Sequence, residues 1–228
     1  MQPIVTLARE RTADGEELTL TRRDGVYYLN LAGSTLMSSR AHRSELDLAS
    51  LACARLAAAT GRPQPRVLIG GLGFGYTLRA ALDCLPPGSA VIVCEVSAMV
   101  MAANVGEVGT LAGRPLDDPR ATAIHGDVWD ALGQAPFDAI LLDADNGPSA
   151  FTLRRNQRLY EAPGLARIGR SLVPGGVLGV WSETPDPAFE RRLAAAGFAV
   201  RAQRARAGRR SQRTRWVGRG ATHPPSQL

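Results

Sequence analysis

The 228-residue sequence predicts an α/β fold, a doubly wound and mostly parallel sheet preceded by a small N-terminal β-hairpin. From residue 66 onward, short and continuously apolar runs alternate with helix-like stretches, a pattern typical of strands covered on both faces. Residues 17–31 instead alternate apolar and polar positions around Asp24-Gly25, the dipeptide that best fits a type I′ hairpin turn. A chain of this length buries roughly 70% of its unfolded surface, so a hydrophobic core alone can hold it together.

The composition, 45% hydrophobic and 21% charged, is that of an ordinary globular protein. No apolar run approaches the roughly 20 residues that span a bilayer, and the first residues lack the pattern of a signal peptide. Cys53, Cys84 and Cys94 lie in apolar stretches without CxxC spacing, which predicts reduced core thiols. We therefore expect a cytoplasmic protein with no metal site, no disulfide framework and no membrane association.

The positive charge is concentrated at the C-terminus. All 27 basic residues are arginine, which together with abundant alanine and glycine indicates a high-GC bacterial genome. The last 28 residues hold eight arginines and no acid, although the whole chain has a formal net charge of only +6. Three uses of this segment stay open: solvated arginines on a hairpin, binding of phosphate groups such as those of RNA, and pairing with an acidic face of a second subunit.

The order of elements follows from local pattern. Residues 44–60 have helical periodicity, with Ser44 as the expected cap and Gly61 as the stop. Five buried strands are predicted over 67–70, 90–95, 121–126, 137–143 and 176–181, with helical stretches at 76–85, 97–113 and 160–173. Two closing strands then flank the arginine-rich loop. This divides the chain into a hairpin subdomain (1–43), a ligand-binding domain (44–219) and a flexible tail (220–228).

The first strand leads into a glycine-rich turn, VLIGGLGFGYTLR, with Gly70, Gly71, Gly73 and Gly75. Glycines between a buried strand and a helix let the backbone approach a ligand without a Cβ clash. The turn lacks the GK[ST] ending of a P-loop, which argues against nucleoside triphosphates. The alternative is a tight turn that needs glycine only for packing.

Acidic residues end the next two strands. Glu95 ends the second strand about 20 residues after the turn, where a carboxylate binds the ribose diol in dinucleotide folds. Asp127 follows the third strand, where it can accept a hydrogen bond from an adenine amino group or cap the next helix. Both roles for Asp127 stay open and are compatible.

The fourth strand ends in LDADNGP, with Asp143, Asp145 and Asn146. Ligands of open parallel sheets lie beyond the carboxyl ends of the strands, so these carboxylates are expected at the site. Two carboxylates can bind an ammonium group, and one can remove the proton that makes an amine nucleophilic. The alternative, an Asx-type turn, explains residues 146–148 better than it explains Asp143. Trp181 ends the fifth strand and Glu183 follows it, and both are candidates for lining the acceptor side. For Trp181 the apolar run favours a core position.

In these motifs the chain resembles the spermidine synthase-like aminopropyltransferases, within the Rossmann-like class I fold of S-adenosylmethionine-dependent methyltransferases. The resemblance spans about residues 17–218, with VLIGGLGFGYTLR, VIVCE, HGD, ILLDAD and LVPGGVL in the family order. It implies that Gly71 and Gly73 approach the tail of the cofactor, Glu95 binds its ribose, and Asp127 binds its adenine. Asp143 would be the catalytic base.

The resemblance also implies S-adenosylmethionine or its decarboxylated form as cofactor, an amine-bearing small molecule as substrate, and a homodimer. The product would be methylthioadenosine or S-adenosylhomocysteine. The stretch NQRLY (156–160) is similar to a short family stretch before the following helix, which adds Tyr160 to Asp145 and Asn146 as substrate-binding candidates.

The chain departs from the family in the half of the site that binds the amines. The family's GGGDGG carries an aspartate that holds an ammonium group, whereas this chain has Leu72 and Phe74. DADNGP is two residues shorter than the family motif, and the family's YHE is missing, although His42 and Glu45 lie nearby. An apolar Leu72 beside the cofactor tail would disfavour the decarboxylated cofactor, since a buried unpaired cation costs several kcal/mol.

These observations predict a transferase that moves an alkyl group, aminopropyl or methyl, from an adenosyl sulfonium to an amine of a polyamine-like or other small molecule. Two alternatives remain. One is a methyltransferase acting on another substrate, RNA included. The other is a non-catalytic homologue that binds an adenosyl ligand.

Overall fold

The computed structural model describes residues 3–144, 156–182, 184–207 and 211–219. The strands are β1 (Val5–Arg11), β2 (Glu17–Arg23), β3 (Val26–Leu31), β4 (Ser34–Ser38), β5 (Arg66–Gly70), β6 (Ala90–Glu95), β7 (Ala121–His125), β8 (Phe137–Leu142), β9 (Leu172–Ser182), β10 (Ala199–Ala207) and β11 (Ser211–Arg219). The helices are α1 (Arg43–Thr60), α2 (Tyr76–Cys84), α3 (Ala98–Val105), α4 (Val128–Ala131), α5 (Gln157–Tyr160), α6 (Ala162–Ser171) and α7 (Pro187–Ala195).

The described strands after α1 form a seven-stranded sheet in the order β10-β11-β9-β8-β5-β6-β7. Strands β5 to β9 are mutually parallel, and the β10–β11 hairpin joins the β9 edge in antiparallel pairing. The sequence-based prediction of a doubly wound, mostly parallel sheet is confirmed. The carboxyl ends of five parallel strands thus meet at one edge of the sheet.

Both faces of this sheet are buried, as the continuous apolar runs predicted. In β5, Val67 and Ile69 belong to one hydrophobic cluster, which also contains residues of α1, α2 and the N-terminal strands. The intervening Leu68 belongs to the other cluster, together with residues of α4, α6 and α7. Alternate side chains of each strand point to opposite faces, so a strand covered twice must be apolar throughout.

The N-terminal region is a four-stranded antiparallel sheet in the order β1-β2-β3-β4, which is larger than the predicted hairpin. The predicted hairpin is its centre: Asp24 (φ 48°) and Gly25 (φ 74°) both have the positive φ of a type I′ turn. The outer strands escaped prediction because β1 has no buried residue and β4 has five residues with an irregular register. Without a buried face, a strand has no alternating pattern to detect.

Helix α1 ends at Gly61 in a left-handed conformation, as predicted. The expected Ser44 cap is wrong, because the helix already begins at Arg43 and Ser44 lies in its first turn. His42 precedes the helix without a capping side-chain bond, and its ring stacks on Tyr76 with centroids 4.3 Å apart. This stacking fixes the start of α1 against α2.

The prediction that all three cysteines are core thiols is correct for Cys94 and wrong for Cys84. Cys94 is buried, Cys53 is half-buried, and Cys84 is exposed at the last residue of α2. The apolar stretch around Cys84 is a helix that buries one face, so its last turn can reach solvent. No helix among the described residues is long and apolar enough to cross a membrane. The predicted tail, 220–228, lies outside the described residues.

Candidate active site

The carboxyl edge of the parallel sheet carries a cavity of about 260 Å³. Five of the site residues predicted from the sequence line it: Gly71 and Gly73 after β5, Glu95 at the end of β6, Asp127 after β7 and Asp143 after β8. Trp181, near the end of β9, lines it too. In strand order the cavity runs from Trp181 past Asp143, Gly71 and Glu95 to Asp127. At about 4.8 Å per strand, these four steps span about 19 Å.

The glycine turn is shaped by close backbone approaches. Gly71 has φ +95°, and a Cβ there would lie 2.5 Å from the carbonyl oxygen of Asp143. Gly73 has φ +51°, and a Cβ there would lie 2.9 Å from the Met37 sulfur atom. Both glycines line the cavity. The turn therefore needs glycine first of all to let the loop after β8 and strand β4 pack against it.

Gly70 and Gly75 lie outside the cavity lining among the described residues. A Cβ on Gly70 would lie 3.0 Å from Val128, and one on Gly75 would lie 2.9 Å from Pro115. Gly75 also precedes α2 in a left-handed conformation, with φ 84°. For these two glycines the structure gives a packing reason.

Glu95 ties the end of β6 to both neighbouring loops. One carboxylate oxygen accepts a hydrogen bond from the Leu72 N–H at 3.0 Å, and the other accepts one from the Ser97 N–H at 2.9 Å. Each carboxylate oxygen has two lone pairs, so these bonds orient the group without using up its acceptor capacity. Ser97 in turn caps α3 by accepting a hydrogen bond from the Val100 N–H.

Asp127 caps α4, which confirms one of its two predicted roles. Its Oδ1 accepts a hydrogen bond from the Trp129 N–H at 2.8 Å. Its Oδ2 accepts one from Arg158, also at 2.8 Å. The Arg158 guanidinium lies 4.6 Å from the centre of the Trp129 ring, and that of Arg167 lies 4.4 Å from it. The arginine stack holds Asp127 in place at one end of the cavity.

Asp143 follows the fully buried strand β8. Its N–H donates to the Gly70 carbonyl at 2.8 Å, which continues the pairing of β8 with β5. Its Oδ2 accepts a hydrogen bond from the hydroxyl of Thr77 in the first turn of α2. Asp145, Asn146 and Glu183 lie outside the described residues.

Tyr160 is packed away from the cavity. It is 3% exposed, belongs to the second hydrophobic cluster, and meets the Phe189 ring edge-on at 5.8 Å. Its backbone carbonyl accepts a hydrogen bond from Arg192 of α7. The neighbouring Asn156 does line the cavity.

The expectation that Leu72 lies beside a cofactor tail is corrected. Leu72 and Phe74 are 4% and 2% exposed and belong to the first hydrophobic cluster, and neither is among the described lining residues. The alternating glycines with positive φ turn the intervening side chains into the core. Trp181 is 7% exposed and also lines the cavity, so the core role favoured by its sequence holds together with a place at the site.

Sequence reasoning missed the contribution of the N-terminal sheet. Glu10, in β1, lines the cavity and accepts hydrogen bonds from the Ser97 hydroxyl at 2.5 Å and the Met99 N–H at 2.9 Å. Apolar side chains of the same sheet cover the cavity: Leu18, Leu29, Leu31, Leu36 and Met37. Glu10 stands in a strand without a sequence signal, so only its long-range contact identifies it.

Glu45 was noticed in the sequence only as lying near a missing family motif. It is 4% exposed in the first turn of α1, bonded to the Ser44 hydroxyl, and it lines the cavity.

The cavity is acidic. Its charged side chains among the described residues are five carboxylates and one guanidinium, those of Glu10, Glu45, Glu95, Asp127, Asp143 and Arg11. Such a lining favours the binding of cations.

Burial, reinforced by the charge of Asp127, raises the pKa of the lining residue Cys94 to about 11. A thiol with that pKa is protonated at neutral pH and makes a poor nucleophile. The described residues bring together no group of three or more His, Cys, Asp or Glu side chains fit to hold a metal ion.

Comparison with solved structures shows that the chain shares its fold with spermidine synthases. Two spermidine synthase structures, one from Thermotoga maritima and one in complex with the transition-state analogue AdoDATO, superpose with TM-scores of 0.72 and 0.71. Each is 18% identical over 96% of this chain and 74% of the other. The chain is therefore spermidine synthase-like in its fold.

Two further structures support the same fold. A probable spermidine synthase from Corynebacterium glutamicum has a TM-score of 0.63 and 17% identity, over 96% of this chain and 81% of that one. TrmN from Thermus thermophilus has a TM-score of 0.54 and 22% identity, over 85% of this chain and 56% of that one. No protein-family model and no curated protein matches the sequence.

Proposed function

We propose that this protein is a transferase that moves an alkyl group, aminopropyl or methyl, from an adenosyl sulfonium to an amine-bearing small molecule. One observation carries the proposal. Gly71, Glu95, Asp127 and Asp143 come from four neighbouring strand ends and line one cavity. A nucleoside fits this arrangement, because it needs a close backbone approach, a carboxylate for its ribose hydroxyls and an acceptor for its adenine amino group.

The adenosyl group would lie between β5 and β7. Glu95 would accept hydrogen bonds from the ribose hydroxyls, since its orientation is fixed by two backbone N–H groups. Asp127 would accept a hydrogen bond from the adenine amino group, held for it by Arg158 and the cap of α4. Gly71 and Gly73 would lie along the sulfur-bearing tail.

Asp143 would bind the acceptor amine and receive its proton, leaving the nitrogen lone pair free to attack. When bound, the cofactor would supply an electrophilic carbon attached to a sulfonium, so that an N–C bond forms as the C–S bond breaks and a neutral thioether leaves. The protein's contribution is alignment of the amine with that carbon, which is worth roughly 7–11 kcal/mol in favourable models. The apolar cover from the N-terminal sheet would exclude water, which strengthens the interaction of Asp143 with an ammonium group.

The charge of the cavity favours the decarboxylated cofactor. Of the five lining carboxylates, Asp127 is paired with Arg158, and the other four still outnumber the one lining arginine. This excess suits a tail that carries only an ammonium group. The carboxylate of intact S-adenosylmethionine would meet mostly like charges. The sequence-based argument against the decarboxylated form rested on Leu72, which lies in the core.

Titration calorimetry with methylthioadenosine, S-adenosylmethionine and decarboxylated S-adenosylmethionine tests the adenosyl site. We expect all three to bind, the decarboxylated form more tightly than the intact one, and Glu95→Gln to weaken all of them. If none binds, the proposal is wrong. If they bind but no amine is alkylated, the protein is a non-catalytic adenosyl-binding homologue.

Turnover tests Asp143. We expect Asp143→Asn to reduce transfer to small amines by about 10²-fold or more, since general bases contribute 10²–10⁴-fold. Methylthioadenosine affinity should stay within about threefold of wild type, since Asp143 lies on the acceptor side. Asp130→Asn is the matched control, because Asp130 is exposed in α4. Equal activities of the two variants would remove Asp143 as the base.

The register of the C-terminal hairpin favours RNA as a second candidate substrate. β11 pairs with β9 up to Thr214, opposite Ser182, the last residue of β9. The β10–β11 pairing continues for three more residue pairs, from Ala205–Arg213 to Ala207–Ser211. This end of the hairpin therefore extends about 10 Å past β9, at the edge that carries the cavity. These three pairs include Arg206 and Arg213, whose positive charges suit phosphate groups.

Anisotropy with a labelled single-stranded RNA tests this second candidate. The variant Arg204→Gln/Arg206→Gln/Arg213→Gln should bind the RNA more weakly. The slope of the logarithm of its binding constant against the logarithm of the salt concentration should become less negative by about 0.7 for each phosphate that is no longer neutralised. The control carries the same change of charge at Arg55, Arg170 and Arg191. If both variants bind RNA with the same affinity and salt dependence, or if the wild type does not bind RNA, RNA is excluded as the substrate.

A further inference from the structure

Thr77 contacts Asp143 from α2, the helix that follows the glycine turn. It is the second residue of α2 and is 2% exposed. Its hydroxyl donates a hydrogen bond to Asp143 Oδ2. A buried hydroxyl needs a partner, because burial without one costs free energy. Here the partner is the carboxylate that would receive the proton of the acceptor.

The backbone of Asp143 is already fixed without Thr77. Its N–H is bonded to the Gly70 carbonyl at 2.8 Å, and its own carbonyl oxygen packs against Gly71 so closely that a Cβ there would lie 2.5 Å away. What the backbone leaves undetermined is rotation about the two side-chain bonds of Asp143. The Thr77 hydroxyl acts on that rotation, because turning the carboxyl group away would break its hydrogen bond.

The start of α2 supports the same carboxylate electrostatically. The helix follows Gly75, which has no side chain to cap the first N–H groups. A carboxylate at this end interacts favourably with the helix dipole. The dipole favours a negative charge at the helix end but does not select one orientation, whereas the hydroxyl bond does.

We propose that Thr77 is a positioning residue of the transferase: its hydroxyl holds the Asp143 carboxylate in the orientation that receives the proton of the acceptor amine. The inference rests on the proposed function of Asp143 and adds the residue that sets its geometry. Thr77 acts through Asp143 and is not itself a catalytic residue. A misplacement of about 1 Å at a reacting group can cost about 10²-fold in rate.

The test compares Thr77→Val, which keeps the shape and removes the donor, with Thr77→Ser, which keeps the donor. We expect Thr77→Val to lower kcat by about 10- to 100-fold. The KM for the amine and the affinity for methylthioadenosine should stay within about threefold of wild type. Thr77→Ser should recover most of kcat. Thr122→Val, on the exposed surface of β7, controls for a Thr-to-Val change elsewhere in the sheet.

Carbon-13 NMR of the aspartate carboxyl groups makes the test independent of turnover, with Asp143→Asn identifying the Asp143 signal. This signal should move in Thr77→Val and stay in place in Thr77→Ser and Thr122→Val. An unmoved signal in Thr77→Val overturns the inference, whatever the activity. So does a moved signal with unchanged kcat, or a drop in kcat that Thr77→Ser fails to restore. A wild type that alkylates no amine refutes the proposed function, and the NMR shift then decides separately whether Thr77 holds Asp143.

Discussion

Replacing Gly71 with alanine separates two reasons for a glycine at the cavity. Gly71 has φ +95°, a conformation that costs an L residue about 1–2 kcal/mol. Gly25, in the N-terminal hairpin turn, has φ +74°, but no atom lies within 4 Å of the place that a Cβ would occupy there. Gly25→Ala therefore carries the conformational cost alone, and the difference between the two variants isolates the steric contribution.

The steric contribution at Gly71 is large because its neighbours are backbone atoms. An added Cβ would lie 2.5 Å from the Asp143 carbonyl oxygen and 2.9 Å from the Ala144 Cα atom, whereas ordinary contacts begin near 3.4 Å. Relief of the clash requires a shift of almost 1 Å between the turn and the end of β8, which strains the bond from the Asp143 N–H to the Gly70 carbonyl. Loss of a buried hydrogen bond costs about 1–3 kcal/mol.

We therefore expect Gly25→Ala to lower the free energy of unfolding by about 1–2 kcal/mol and Gly71→Ala to lower it by about 2–5 kcal/mol. Urea denaturation at constant m-value measures both. Only Gly71→Ala should also weaken methylthioadenosine binding in calorimetry, because it displaces the glycine turn, which would lie along the sulfur-bearing tail of the nucleoside. The reasoning is refuted if Gly71→Ala is no less stable than Gly25→Ala and binds the nucleoside as well as wild type does.

Two further predictions concern groups outside the proposed chemistry. Burial raises the pKa of Cys53 to about 12, so at about pH 8 its thiolate fraction is about 10⁻⁴. An alkylating reagent should therefore label the exposed Cys84 before Cys53. Equal labelling rates in mass spectrometry would contradict this prediction. The hydrogen-bonded ion pair with Arg120 lowers the pKa of Asp118 to about 2, below its value in the unfolded chain. The ion pair therefore stabilises the folded protein fully above about pH 4, and this contribution disappears as the pH falls through about 2. The stability deficit of Asp118→Asn in urea should therefore shrink between about pH 6 and pH 2, and a constant deficit would refute the assignment.

The parallel sheet was predictable because burial on both faces leaves a local record. Val67, Leu68 and Ile69 are all apolar since successive side chains enter different hydrophobic clusters. The turn at Asp24-Gly25 was predictable for a similar reason, because positive φ at consecutive residues restricts the residue types. Strand ends then followed from the apolar runs, and with them the positions of Glu95 and Asp143.

The same logic failed where burial leaves no periodic record. β1 exposes its apolar residues, so its pattern did not predict a strand, and the placement of Glu10 at the cavity stayed hidden. Leu72 was predicted to lie beside the cofactor tail because its sequence neighbours Gly71 and Gly73 were expected to approach that tail. The positive φ values of Gly71 and Gly73 turn its side chain into the core instead.

By itself, the sequence determined the fold class, the order of strands and helices along the chain, and the acidic residues at the carboxyl ends of the parallel strands. These features depend on periodicity and turn chemistry, which are properties of neighbouring residues. Only the tertiary structure decided which side chains share the cavity. Glu10 meets Ser97 across 87 residues of chain, and Thr77 meets Asp143 across 66. Contacts over such distances depend on how the helices and the N-terminal sheet pack on the parallel sheet, and no local pattern encodes that packing.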